Sequence, residues 1–129
     1  MTAAGYILLV DDDPDLRQCL VDILEEEGFV TQTAGTGREA LTLLESAQLP
    51  RLILLDLMMP ELNGWQFYER QQSDPRLAPI PVLVVTANRG VSAGIPGSDV
   101  LLKPFSAETV LNKVHGLIEA PSAHSGHWP

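Results

Sequence analysis

The chain holds a single cysteine, Cys19, so it can form no internal disulfide. That excludes a disulfide-stapled secreted scaffold and makes a reducing compartment the simpler assumption. Cys19 sits among Leu16, Leu20 and Ile23 at helical spacing, where a buried, inert thiol is expected. Basic residues are also scarce: 8 Lys and Arg against 17 Asp and Glu give a net charge of −9. Without a basic patch to displace counterions, a nucleic-acid partner is not expected for this chain alone. No apolar run approaches the roughly 18 residues of a membrane span, so no membrane association is expected either. The opening residues, Met1-Thr-Ala-Ala-Gly5, carry no basic residue and lead straight into a strand-like run, unlike a signal peptide. A cytoplasmic location is the expectation. There are no internal repeats.

The 129 residues suit one domain, and 45% hydrophobic with 19% charged residues describes a globular one. A chain of this size hides roughly two thirds of its unfolded surface, so its core requires no metal or disulfide.

Five apolar runs alternate with helical patterns, which predicts an α/β domain with a parallel sheet. The runs are Tyr6–Val10, Phe29–Thr33, Leu52–Asp56, Pro81–Thr86 and Val100–Leu102. The first, third and fourth are continuously apolar, as central strands covered on both faces should be. The second mixes in threonine and glutamine and is placed at an edge. Asp13 can cap a first helix, with Pro14 in its first turn and Gly28 as its stop. Thr36-Gly-Arg-Glu39 is a capping-box pattern opening a second helix through Ala40, Leu44 and Ala47. A third is expected from about Gly64 to Ser73. A last one follows Ser106, with Val110, Val114, Leu117 and Ile118 on one stripe. Gly90, Gly94, Pro96 and Gly97 argue against a full helix between strands four and five. The tail from 121 to 129 has no periodicity and is expected to be disordered, its His124 and His127 solvated rather than metal-bound.

In an open parallel sheet, ligands gather beyond the carboxyl ends of the strands. Those ends are chemically loaded here. Strand one runs into Asp11-Asp12-Asp13, strand three ends in Asp56, strand four in Thr86, and strand five precedes Lys103-Pro104. Clustered carboxylates repel, and a buried unpaired anion is costly, so the set calls for a cation. All-oxygen ligands suit Mg²⁺. With a metal and Lys103 neutralising the charge, one carboxylate can attack a phosphoryl group and form an aspartyl phosphate. Each residue also has an ordinary reading. Asp11, Asp12 and Asp13 can serve as helix caps, Thr86 as a strand residue, and Lys103 as a surface cation. Asp56 is harder to dismiss, because an aspartate closing an apolar run is costly unless it is paired.

Ile7-Leu-Leu-Val-Asp11-Asp12-Asp13-Pro, Leu54-Leu-Asp56-Leu-Met-Met-Pro60-Glu-Leu-Asn-Gly64, Val85-Thr86-Ala87 and Lys103-Pro104-Phe105 together resemble the response-regulator receiver domain of two-component signalling. The resemblance runs from Ile7 to Ile118 and implies a receiver over residues 1–120. It implies a flavodoxin-like, three-layer fold with strand order 2-1-3-4-5, its fourth helix shortened or absent in this chain. It further implies that Asp56 is the phosphoacceptor and that Asp12 and Asp56 ligate Mg²⁺ directly. Asp11 would act largely through water, and the Met58 backbone carbonyl would be a further ligand. Thr86 and Lys103 would contact the phosphoryl group, Asp13 would remain the helix cap, and Pro60 and Gly64 would shape the loop after the acceptor. A cis Lys103–Pro104 bond is expected.

The implied function is a phosphorylation-dependent switch rather than an enzyme. Its donor would be a histidine kinase or phosphotransfer protein, and its downstream protein target is not named by the sequence. Two departures fall on the signalling side. Val100 stands where the family usually has an aromatic, and the stretch from Thr86 to Lys103 is shorter than usual by roughly one and a half helical turns. Both keep open a receiver-fold binding module that works without phosphorylation. An aspartate-nucleophile phosphatase would want a second Asp where Met58 stands. A flavodoxin-like FMN protein would want a phosphate loop where Asp11-Asp12-Asp13 would repel it. Whether the domain stands alone or is part of a longer chain is left open.

Overall fold

In the computed structural model, residues 5–46, 48–57, 62–87 and 99–118 are described. The order of elements is β1 (Ile7–Val10), α1 (Pro14–Glu26), β2 (Thr31–Ala34), α2 (Gly37–Leu43), β3 (Leu52–Asp56), α3 (Gly64–Gln72), β4 (Val82–Thr86), β5 (Asp99–Leu102) and α4 (Ala107–Ile118). All strand pairs are parallel, and the sheet order is β2-β1-β3-β4-β5. The segment 88–98 and the tail 121–129 lie outside the described residues, so the expectations for a shortened helix and a disordered tail are not addressed there.

The interior strands β1, β3 and β4 are buried along their whole length, which explains their unbroken apolar sequence. Their side chains alternate between two cores. Leu8, Val10, Ile53, Leu55, Val82 and Val84 meet Ala40 and Leu44 of the α2 region and Phe67 of α3. Ile7, Leu9, Leu52, Leu54, Leu83 and Val85 meet Leu20 and Leu24 of α1 and Val110 and Val114 of α4. Two helices therefore cover each face, giving three layers. No helix among the described residues is long and apolar enough to cross a membrane.

The caps follow the sequence closely. Asp13 accepts from the amides of Asp15 and Leu16, and Gly28 takes φ 97° just after α1, the left-handed turn that favours glycine. Thr36 caps α2, but Glu39 reaches back to the Gly35 amide instead of closing a box on Thr36. A full reciprocal box forms at Asn63 and Gln66 on α3.

Three expectations need correction. Cys19 is exposed. At about 100° per residue it lies a quarter-turn away from the buried Leu20, so helical spacing to Leu16 and Ile23 placed it beside the stripe and not within it. The second strand begins at Thr31 and not Phe29, because the Phe29 amide still closes the end of α1 on the Leu24 carbonyl. The second helix ends at Leu43 with Leu44 as its cap. There the Arg76 guanidinium, from the α3–β4 connection, bonds the carbonyls of Leu44 and Ser46.

Candidate functional site

Register brings the polar residues together. Val10 pairs with Leu55, so Asp11, one residue beyond β1, comes beside Asp56, the last residue of β3. Asp56 pairs with Val85 and Thr86 with Leu102, which places Thr86 and Lys103 along the same edge. The Lys103 amide donates to the Thr86 carbonyl at 2.9 Å, and the Lys103–Pro104 bond is cis, as expected.

One ligand oxygen from each of Asp11, Asp12 and Asp56 lies within 4.8 Å of the others. Asp11 and Asp56 are buried, with 3% and 4% exposure, while Asp12 is exposed. Asp13 faces away into its cap, as the resemblance implied. Thr86 is buried and Lys103 half-buried. Met58 lies outside the described residues.

The electrostatics call for a cation. Burial pushes the Asp11 carboxyl from its ordinary 3.8 up to about 6, with Asp56 and Asp12 adding to the rise. The Asp13 amide, 2.8 Å from Asp11 Oδ1, and the positive charge of Lys103 oppose it. Asp11 Oδ2 is buried without a hydrogen-bond partner. Such an orphaned acceptor is costly by itself and well satisfied by a metal ion or its water. Three hard carboxylate donors, one of them exposed to solvent, fit a divalent cation of the Mg²⁺ kind.

Gly64 lets the chain return close to Asp56 and Leu57. A Cβ there would meet the Leu57 Cα at 2.6 Å and the Asp56 carbonyl oxygen at 2.8 Å. Sequence reasoning missed Arg17. Its Nη1 donates to the Asp11 carbonyl at 2.6 Å, tying the second turn of α1 to the site. The only signal in the sequence was its place four residues after the cap, from which a long side chain leans back toward the helix start.

Fold and site together define a doubly wound α/β domain with a cluster of carboxylates at the carboxyl edge of its sheet. The chain belongs to the response regulator receiver domain family, whose sequence model matches residues 7–115. Receiver domains are phospho-accepting elements of two-component signalling. The chain is 38% identical over 117 residues to the DNA-binding dual master transcriptional regulator RpaA of Synechocystis, covering 87% of this chain and 48% of that protein. Among solved structures it is similar to the chemotaxis protein CheY4 of Vibrio cholerae, with TM-score 0.82 and 28% identity over 89% of this chain and 99% of the other. It is likewise similar to the receiver domain of a histidine kinase from Syntrophus aciditrophicus, with TM-score 0.82 and 34% identity over 91% and 92% of the two chains. The chain spans about half the length of curated relatives such as RpaA.

Proposed function

We propose that Asp56 accepts the phosphoryl group, from a phosphohistidine of a histidine kinase or phosphotransfer protein, with Mg²⁺ held by Asp12 and Asp56 and, largely through water, by Asp11. The observation that carries this reading is the meeting of three carboxylates, two of them buried, with Asp11 Oδ2 buried and without a hydrogen-bond partner. An Asp56 carboxylate oxygen attacks phosphorus in line; the O–P bond forms as the P–N bond breaks, and the electron pair returns to the imidazole. A bound Mg²⁺ supplies charge neutralisation for the incoming phosphoryl oxygens. Lys103 adds a second positive charge from the end of β5, and the Thr86 hydroxyl can donate to a phosphoryl oxygen from the end of β4. The Asp13 amide holds Asp11 Oδ1, which leaves Oδ2 available to the cation or its water.

The domain itself carries no basic surplus, and its charge of −9 supports a protein partner over a nucleic acid. A cytoplasmic setting goes with that reading. The intact acidic cluster weighs against a module that dispenses with phosphorylation. Incubation with a small phosphodonor and Mg²⁺, followed by intact-mass measurement, should show one phosphoryl adduct. Asp56→Asn should remove it, and an unchanged adduct in that variant would refute the assignment.

A further inference from the structure

We propose that Arg17 is a positioning residue for the carboxylate cluster, fixing the peptide that joins Asp11 to Asp12 so that both side chains face the bound cation. The proposal rests on the metal-assisted reading of the site. Beyond Val10 the β1 ladder ends. The Asp11 amide still reaches the Ala34 carbonyl at 3.1 Å, while its carbonyl receives Arg17 Nη1 at 2.6 Å. A peptide is planar, so holding that carbonyl sets the backbone direction into Asp12 as well. Asp12 is the exposed member of the cluster and has no sheet partner to orient it.

Arg17 is well placed for this. Its amide is anchored to the Asp13 carbonyl at 2.9 Å, and helical side chains lean toward the N-terminus, back over the cap. Gly35 leaves the space: a Cβ there would stand 3.3 Å from Nη1. Arg17 reaches the site through the Asp11 backbone carbonyl, not through a carboxylate oxygen.

The test is calorimetric titration of Mg²⁺ into the wild type, Arg17→Met, Arg17→Lys and Asp12→Asn, with unfolding midpoints taken in chelator. Outer partners of metal ligands typically govern affinity by about tenfold or more, so Arg17→Met should bind Mg²⁺ about tenfold more weakly. Arg17→Lys, which still donates to a carbonyl, should recover most of that loss. Because the affected peptide carries the Asp12 amide, its NMR resonance should shift in metal-free Arg17→Met and return toward wild type in Arg17→Lys. A lowered unfolding midpoint with Mg²⁺ affinity within twofold of wild type would mean a merely structural role and overturns the proposal. If Arg17→Met does not fold, Arg17→Gln, polar but too short to reach, takes its place with the same expected loss. Should the wild type bind no Mg²⁺, or Asp12→Asn bind it unchanged, the reading of the site fails and the proposal with it.

Discussion

Gly64→Ala adds one methyl group where the structure has no room for it. The new carbon would sit 2.6 Å from Leu57 Cα, 2.7 Å from Leu57 Cδ2 and 2.8 Å from the Asp56 carbonyl oxygen. Ordinary carbon contacts begin near 3.5 Å, so the end of β3 or the start of α3 must move by close to ~1 Å. Two of the three obstacles are backbone atoms, which no rotamer change relieves. Overpacking of this kind costs about 1–3 kcal/mol, against which better helix propensity returns only part of a kcal/mol. The expected net loss is about 2 kcal/mol, or a melting point lower by roughly 8 °C for a domain of this size.

Gly116→Ala is the matched control. It lies inside α4 with nothing within 4 Å of its prospective Cβ, so the same substitution should stabilise by about 0.5–1 kcal/mol. Urea unfolding of both variants provides the measurement. A Gly64→Ala loss below ~0.5 kcal/mol, beside the expected gain at Gly116, would show that β3 and α3 are not in the close contact described. Because the clash falls on the Asp56 carbonyl, Gly64→Ala should also slow the phosphorylation proposed for Asp56.

In chelator, the raised Asp11 carboxyl binds a proton more readily in the folded than in the unfolded chain, between 3.8 and about 6. Its contribution therefore favours folding at low pH and is lost as pH rises through that window. The difference in urea midpoint between wild type and Asp11→Asn should widen in the variant's favour from pH 4 to 6.5, and a pH-independent difference would contradict the burial of Asp11. Lys103→Ala should keep its native far-UV circular dichroism, since the bond to Thr86 uses the backbone amide, yet lose the conformational response to beryllofluoride. A wild-type response in that variant would refute the role given to the ammonium. Val100 is half-buried against the α2–α3 core, and its β-branched side chain has few rotamers to exchange. With no ring at position 100 to swing inward, the glycine-containing segment 87–98 is expected to carry the response. Hydrogen exchange with and without beryllofluoride should therefore change there, and unaltered protection across 87–98 would refute that expectation.

How much could be read in the sequence depended on the range of the interaction. The α/β class, the interior strands and the edge position of β2 follow from apolar runs of a few residues, and those runs are buried as read. Caps at Asp13 and Thr36 are likewise local chemistry. The end of α2 was not readable, because Arg76, some thirty residues later, supplies bonds to the carbonyls there. Gln71 is a similar case. It is fully buried, and its amide holds the Leu77 and Ile80 carbonyls, a role nothing in its neighbourhood announces. Cys19 failed for another reason: spacing defines a stripe but not its width, and a residue beside the stripe stays exposed.

The site was legible for the opposite reason, namely that it breaks the rules the rest of the chain obeys. An aspartate at the end of a buried apolar run has no place in a domain optimised for stability. Here two such carboxylates, Asp11 and Asp56, are buried side by side, and mutual repulsion contributes to the rise at Asp11. Neighbouring residues hold that arrangement in place and do little to relieve it. The Asp13 amide takes one Asp11 oxygen, Arg17 the Asp11 carbonyl, and Gly64 allows α3 to close over Leu57. Lys103 offsets part of the charge from the end of β5. What is left is an acidic cluster whose remaining demand is for positive charge, and the two species that bring or need it, a divalent cation and a transferring phosphoryl group, are best accommodated together. The mutual repulsion of the gathered carboxylates and the affinity proposed for that pair have one electrostatic origin.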